Sequence, residues 1–276
     1  MRNVVNHNQH AGIAVSDYRE FLPPPALAEY LVCLWTQTVP SPVEFAQRVV
    51  PDGCVDILLM NEVPMVVGPW IEPFVASLAP GTKILGARCH PGVAPSLLGI
   101  PASELLNRFV PLSEVWSSAE TARFSRIAYE PNLSVRMRAM EAALLGRVVK
   151  ASPADKATRA AIQWMARHAR ERVEQLSHRL GLSSRQIQRR FTAAVGYGPK
   201  LFQSVLRFQR LLNLAAKTSV RGSLAQIAVD AEYADQAHMT REVRRFSGDL
   251  PGTLLQSPRC ALRLSGLIQT TDGLDP

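Results

Sequence analysis

Residues 173–196, VEQLSHRLGLSSRQIQRRFTAAVG, constrain the fold more than any other stretch of this chain. Val173, Leu176 and Leu180 put an apolar stripe on a short first helix, Gly181-Leu182 makes a turn, and Ser183 stands where a second helix needs its N-cap. On that second helix Arg185, Gln188, Arg189 and Thr192 share one face at helical spacing, while Ile187, Phe191 and Ala194 occupy the other. An isolated amphipathic helix with a few arginines is ordinarily a solvated face. The short helix and turn ahead of this one, and a second copy downstream, argue instead for a face offered to a partner. Arginine bonds the O6/N7 edge of guanine bidentately and glutamine the N6/N7 edge of adenine, so such a face suits a major groove.

The pattern returns after Ser223. Leu176-Ser177 and Leu180 answer to Ile227-Ala228 and Ala231, 51 residues on, and Ile187, Arg189 and Phe191 answer to Met239, Arg241 and Val243, 52 residues on. The second turn is therefore one residue longer. From Asp235 to Phe246 the apolar side is Met239, Val243 and Phe246; the opposite side and its edges carry Gln236, Ala237, Thr240, Arg241, Arg244 and Arg245, with Asp235 placed to cap. Between the two units Pro199–Ala216 reads as one helix about 27 Å long, and Arg159–His168 as a bracing helix ahead of them. Such a spacer suits two readers presented to successive major grooves about 34 Å apart.

Charge follows the same division. Residues 1–156 carry 13 Lys+Arg against 14 Asp+Glu, residues 157–256 carry 16 against 7, and the remainder 2 against 2, so the formal net charge of +8 resides in the repeated block. A basic surplus confined to about a hundred residues marks a polyanion-binding domain. With 276 residues, 47% apolar and 20% charged, the chain has the composition of a globular protein and the length for two domains. Cys33, Cys54, Cys89 and Cys260 are scattered without a CxxC, which indicates neither a disulfide framework nor a zinc ribbon. No signal-peptide core and no 18-residue apolar run occurs, so the expected location is the cytoplasm, on the nucleoid.

The first half reads differently. Residues 1–20 are polar and expected to be irregular, and Leu27, Tyr30, Leu31 and Leu34-Trp35 fit either a short helix or the entry to a strand. Between Phe45 and Gly86 the runs FAQRVV, CVDILLM, VPMVVG, IEPFVASL and KILGARC, cut by Pro and Gly, read as strands. Past Gly92 the spacing turns helical: Pro101–Phe109 predicts a helix, Leu112–Trp116 a further turn, and Leu133–Val149 a longer helix. Val135, Met137, Met140, Leu144, Leu145 and Val148 make a stripe on the last, suited to packing on its own domain or to dimerisation. Ala151–Ala154, with Pro153, reads as a linker. The expected fold is α+β. A β-rich N-terminal regulatory or dimerisation domain with flanking helices (1–152) precedes an all-α domain of two helix-turn-helix units joined by a long helix (153–256), and a tail (257–276) follows.

The block from Ala160 to Leu255 resembles the DNA-binding domain of the AraC/XylS family of bacterial transcription regulators, through LSHRLGLSSRQIQRRF, VGYGPKLFQSVLRFQRLL and AVDAEYADQAHMTREVRRFSGDLPGTLL. The resemblance implies base contacts by Arg185, Gln188 and Arg189 in the first unit and by Gln236, Ala237, Thr240 and Arg241 in the second. Lys200, Arg244 and Arg245 suit phosphates, which position the domain without reading sequence. Two positions depart from the family pattern. Glu232 stands where the second turn usually has Gly, at a cost of about 1 kcal/mol if φ is positive, and Ser177 stands where Ala is usual and needs a hydrogen bond if buried. The N-terminal half resembles, less specifically, a domain that precedes this reader in some members, through PDGCVDILL, LGARCHPGVAPSLLGIPASELL and VPLSEVW; Cys89-His90 replace an aromatic followed by Arg there.

Asp52, Asp56 and Arg88 border apolar strands and are the candidate effector pocket; a turn carboxylate and a surface ion pair are the plainer reading. Cys54, Cys89 and His90 lack the ligand spacing of a soft metal or thiol-sensing site, adjacent strand residues pointing to opposite faces. No nucleophile triad, paired-carboxylate motif, phosphate loop or HExxH occurs. These observations point to a sequence-specific transcription regulator, with no catalytic residue, no cofactor and no metal. Its expected partners are double-stranded promoter DNA, a second copy of the chain, RNA polymerase and a small-molecule effector, with no membrane. The alternatives are a DNA repair or modifying enzyme delivered by the same reader, and a nonspecific architectural protein.

Overall fold

Alternating side chains divide the first half of the chain between two faces of a sheet. The computed structural model describes residues 4–6, 16–42, 44–168, 171–217 and 223–256; the expected tail lies outside the described residues. Its strands are β1 (Val4–Asn6), β2 (Asp17–Phe21), β3 (Leu31–Thr38), β4 (Phe45–Val49), β5 (Val55–Met60), β6 (Val63–Val67), β7 (Phe74–Leu78), β8 (Lys83–Cys89) and β9 (Phe109–Pro111). Seven of them form an antiparallel sheet in the order β1-β2-β3-β8-β5-β6-β9, and β4 pairs with β7 in a second, two-stranded sheet. Leu34, Ile57, Leu59, Leu85 and Ala87 project to one side, where α1 (Ala94–Leu98), α2 (Ser118–Ser125) and α3 (Leu133–Val148) cover them. Cys33, Trp35, Leu58 and Ile84 project to the other side and meet Leu78 of β7. Gly86 is required opposite Trp35, because a Cβ there would lie 2.3 Å from the indole.

Several segments depart from their expected form. Residues 17–21 are not irregular: they pair with β3 from Asp17↔Thr38 to Phe21↔Leu34, where the free backbone groups of β3 find partners. The helix expected over Pro101–Phe109 is a single 3-10 turn at Ala102–Leu105. Asn107 ends it in the left-handed region (φ 53), donating its N–H to Pro69 O and accepting from Ile71 N, and Phe109 then joins β9 against β6. Helical apolar spacing lost here to pairing with a distant strand. The stripe on α3 packs inward, with Met137, Met140 and Leu144 buried against the sheet and Val135, Leu145 and Val148 half-buried. α2, which no sequence signal had separated, carries a capping box in which Ser117 and Glu120 satisfy one another's backbone N–H. Hydrogen bonds from Ser117 and Arg147 hold the Glu120 carboxyl down at about 2.

The second half is helical: α4 (Lys156–Arg167), α5 (Gln175–Leu180), α6 (Ser184–Val195), α7 (Pro199–Lys217), α8 (Leu224–Asp230), α9 (Gln236–Ser247) and α10 (Pro251–Gln256). α7 is the axis of their common core. Its Phe202 ring stands 5.4 Å from Phe191 of α6, and its Phe208 ring 5.5 Å from Phe246 of α9. The β-rich half docks on the same helix. Val50, Ile71 and Leu106 pack against this core, Gln209 Nε2 donates to Pro51 O at 2.6 Å, and Arg48 donates to Ser247 O and ion-pairs with Asp249. Gly53 (φ 79) fits beneath Phe202, where a Cβ would fall 2.7 Å from the ring.

Candidate nucleic-acid interface

In the first unit, Gly181 takes the left-handed conformation (φ 63) that ends α5, and a Cβ there would meet nothing within 4 Å. Ser183 and Gln186 form a capping box at the start of α6. Ile187, Phe191 and Ala194 are buried in the core, and Arg185, Gln188 and Arg189 are exposed together on the opposite face. Gln188 lies along its own helix, donating to Thr192 Oγ1 at 3.3 Å. Ser177 Oγ meets Ser184 Oγ at 3.1 Å, which satisfies the hydroxyl that replaces the usual Ala. Arg190 leaves the reading face and bonds Asp155, the N-cap of α4, at 2.7 Å. Burial works against the charge of Asp155, but hydrogen bonds from Thr158 and Arg190 hold its carboxyl below the ordinary value. The C-terminal end of α6 rests on the β-rich half: a Cβ on Gly196 would lie 2.7 Å from Pro69.

The second unit repeats this arrangement with different side chains. Glu232 occupies the turn position of Gly181 and adopts φ 64, and its carboxylate ion-pairs with Arg210 of α7, which also donates to Ala166 O. Asp235 caps α9 by accepting from His238 N at 2.6 Å. Met239, Val243 and Phe246 are buried; Gln236, Ala237, Arg241, Arg244 and Arg245 are exposed, and Thr240 is half-buried with its hydroxyl donating to Gln236 O. Glu242 turns inward and accepts from Arg207 of α7 at 3.0 Å, both side chains being largely buried, while His238 Nε2 stands 3.3 Å away. An open groove of about 740 Å3 separates the two units, with Lys200 exposed on its wall near Arg207, Glu232 and His238.

Behind the helical domain, Asp52, Asp56 and Arg88 line one cavity of about 100 Å3 between the two sheets. Arg88 is 8% exposed; its Nε and Nη2 donate to Asp56 at 3.2 and 3.4 Å, with Glu20 at 3.9 Å and Asp52 at 4.0 Å. Trp35 Nε1 also donates to Asp56, at 2.9 Å. Burial disfavours the Arg88 charge, but the surrounding acidic groups, Asp56 foremost, hold its pKa above the ordinary arginine value. Sequence reasoning missed the aromatic wall of this cavity, Trp70, Phe74 and Phe109, and missed Gln209 of α7, which closes it. No local signal connects position 209 with position 52.

Cys33, Cys54 and Cys89 are free and buried, and burial pushes each thiol up. Cys54 and Cys89 belong to core clusters on different sides of the large sheet. His90 approaches Ala28 O at 3.2 Å, and burial lowers its pKa. Among the described residues no group of three His, Cys, Asp or Glu is placed to hold a metal ion, and no helix is long and apolar enough to cross a membrane.

Residues 176–257 match a family described as a helix-turn-helix domain, and residues 19–111 match one described as a domain of unknown function, DUF6597. The C-terminal region is thus a helix-turn-helix domain. No curated protein sequence matches the chain. Similar solved structures include apo ToxT from Vibrio cholerae strain SCE256, at 11% identity and a TM-score of 0.44 over 82% of this chain and 97% of that one. ToxT from V. cholerae in a P21 crystal form is 12% identical with a TM-score of 0.41 over 77% and 97%. ToxT from V. cholerae O395 bound to (E)-4-(8-methylnaphthalen-1-yl)but-3-enoic acid is 11% identical with a TM-score of 0.38 over 92% and 97%.

Proposed function

We propose that this protein is a sequence-specific transcription regulator that reads promoter DNA with α6 and α9 in successive major grooves, under the control of its N-terminal domain. One observation carries the reading: α6 and α9 are both 12-residue helices capped by a side chain, buried on one face against a common core and exposed on the other through Arg185, Gln188 and Arg189 or Gln236, Ala237 and Arg241. α7 spaces them with 19 residues, about 28 Å of rise, on the scale of one turn of B-DNA. Thr240 completes the second reading edge, and Lys200, Arg244 and Arg245 neutralise phosphates. Residues 1–152 form the regulatory unit, which responds to a small molecule in the cavity of Asp52, Asp56 and Arg88. The protein works in the cytoplasm, on the nucleoid, as a homodimer on two sites, and acts on RNA polymerase there.

Control by the N-terminal domain is supported by its docking on both the spacer and the first reader, through Gln209–Pro51 and the contact of Gly196 with Pro69. Selection of bound sites from random DNA tests the whole reading. An enriched motif with two half-elements about one helical turn apart is the expected result, together with a steep fall of affinity with salt. Binding without any enriched motif would leave a nonspecific DNA protein. Deleting residues 1–152 should change affinity for the selected site without changing the motif.

A further inference from the structure

We propose that the cavity between the two sheets holds a small uncharged molecule whose polar end carries a hydrogen-bond donor and an acceptor together, a primary carboxamide in its simplest form. This molecule bridges Trp70 of the β-rich half and Gln209 of α7. The inference rests on the regulator reading above and adds the ligand class and the route of the signal.

The charged groups of the cavity are occupied with one another. Arg88 donates to Asp56 through Nε and Nη2, and Glu20 and Asp52 stand 3.9 and 4.0 Å from its guanidinium. Asp56 also accepts from Trp35 Nε1, and Asp52 accepts from Cys54 N–H at 2.8 Å. Two buried carboxamides of the same wall are likewise joined, Gln37 Nε2 donating to Gln47 Oε1 at 2.6 Å and to Ser16 Oγ at 3.0 Å. A charged guest of either sign would leave water for a site whose charges already have partners, and its desolvation would go uncompensated. An uncharged guest escapes that cost.

Two atoms of lining residues stand apart from this network. Trp70 Nε1, a donor, and Gln209 Oε1, an acceptor, are both buried and have no hydrogen-bond partner among the described residues. Gln209 is 1% exposed and commits its Nε2 to Pro51 O. A buried polar group left unsatisfied is costly, and these two are opposite in kind. One guest that accepts from the indole and donates to the carboxamide removes both costs, whereas a lone donor or a lone acceptor removes one. The remaining wall is aromatic. Trp70 and Phe74 have ring centroids 4.0 Å apart, and Phe109 packs on both at 5.7 and 5.5 Å, a surface suited to a short alkyl body. The volume of about 100 Å3 sets the size. Because a ~150 Å3 cavity admits benzene, the guest has about five non-hydrogen atoms, as propionamide does.

The two unsatisfied atoms belong to the two halves of the chain. Trp70 follows Pro69, and Gly196 at the end of α6 lies so close to Pro69 that a Cβ there would fall 2.7 Å from it. Gln209 lies on α7, which carries Phe202 against Phe191 of α6 and Phe208 against Phe246 of α9. A guest bonded to both residues ties α7 to the β-rich half beside α6. Occupancy then changes how readily α6 and α9 adopt the spacing that DNA requires.

Titration of the isotope-labelled full chain with propionamide, butanone, propionate and propionamidinium, followed by NMR, tests this directly, because the four probes match in size and differ in donors, acceptors and charge. The expected result is saturable binding of propionamide, with butanone weaker by about fivefold or more and each charged probe weaker by about tenfold or more. The indole N–H resonance that Trp70→Phe removes should move downfield as propionamide binds. Trp70→Phe, which keeps a ring against Phe74, and Gln209→Met, which keeps the volume, should each weaken propionamide by about fivefold. Absence of propionamide binding, equal or tighter binding of any other probe, or an unmoved Trp70 resonance at saturation overturns the site, and these readings on the parent hold even if a variant fails to fold. Undiminished binding in either variant overturns the bridge. On a selected DNA site, saturating propionamide should shift affinity by about fivefold or more in the parent and not in Gln209→Met; binding without a shift overturns the route through α7. If no DNA site can be selected, the regulator reading fails, while the titration without DNA still decides the ligand site.

Discussion

The two helix-turn-helix units reach the same shape by different chemistry. The first turns at Gly181, for which a positive φ is free of steric cost, and fixes α6 through the Phe191–Phe202 contact and an exposed ion pair from Arg190 to Asp155. The second turns at Glu232, which adopts the same left-handed conformation against its preference and is held there by Arg210. Its α9 is fixed by Phe246 on Phe208 and by the largely buried pair Arg207–Glu242. Both charged braces of the second unit come from α7, so this helix does more than separate α6 from α9. The difference teaches that a duplicated motif conserves geometry more readily than the interactions that produce it.

The sharpest way to break this comparison is to remove one brace from each unit. Arg207→Met leaves the largely buried Glu242 with only His238 beside it and should cost about 3 kcal/mol in urea unfolding, of the same order as Phe191→Ala in the first unit. Arg207→Met combined with Glu242→Leu should recover most of the loss, since an apolar pair of similar volume replaces a buried ion pair at little cost. No recovery in the double variant would show that the charge pair is not the brace. Below this in size come the readers themselves. Arg189→Ala and Arg241→Ala should each relax preference at one base step by about 1–3 kcal/mol, measured by repeating site selection. The larger loss is expected for Arg189, whose helix follows the unstrained turn.

A smaller effect compares the turns. Gly181→Glu meets a positive φ with no heavy atom near its Cβ to hold it, and should destabilise by about 1 kcal/mol. Glu232→Gly relieves the same strain but gives up the Arg210 pair, so its unfolding midpoint should stay closer to that of the parent. Equal losses from both changes would mean that Arg210 contributes nothing. The smallest expected effect is the pH dependence at His90, beside the first unit. Burial, reinforced by the charge of Arg159, depresses its pKa below the ordinary 6.5. Its contribution to stability is therefore complete above that value and is lost as pH falls through the depressed folded pKa. Thermal unfolding between pH 7.5 and 5 should show a decline that His90→Gln reduces.

Much of the helical half was legible locally. Helix periodicity, Ser183 and Asp235 as caps, and the division of α6 and α9 into buried and exposed faces follow from residues within one or two turns of each other. The family resemblance set Glu232 where a turn glycine is usual and so raised a positive φ there as a condition, which the structure meets. The β-rich half was legible as strands but not as a sheet. Neither the pairing of residues 17–21 with β3 nor the recruitment of Phe109 to β6 leaves a mark in local periodicity, because both are decided by backbone groups far away in sequence. The helix expected over Pro101–Phe109 failed for that reason.

The amino-acid sequence by itself determined which faces of α6 and α9 carry arginine and glutamine, which residues cap those two helices, and that positive charge resides in one half of the chain. Those properties depend on spacing of 3.6 residues per turn and on composition. Only the tertiary structure decided that Asp52, Asp56 and Arg88 share a cavity with Trp70, Phe74, Phe109 and Gln209, and that α7 joins that cavity to both α6 and α9. Burial of apolar faces brings those residues together across more than 150 positions, and it acts without direction, so no local pattern records where they will meet.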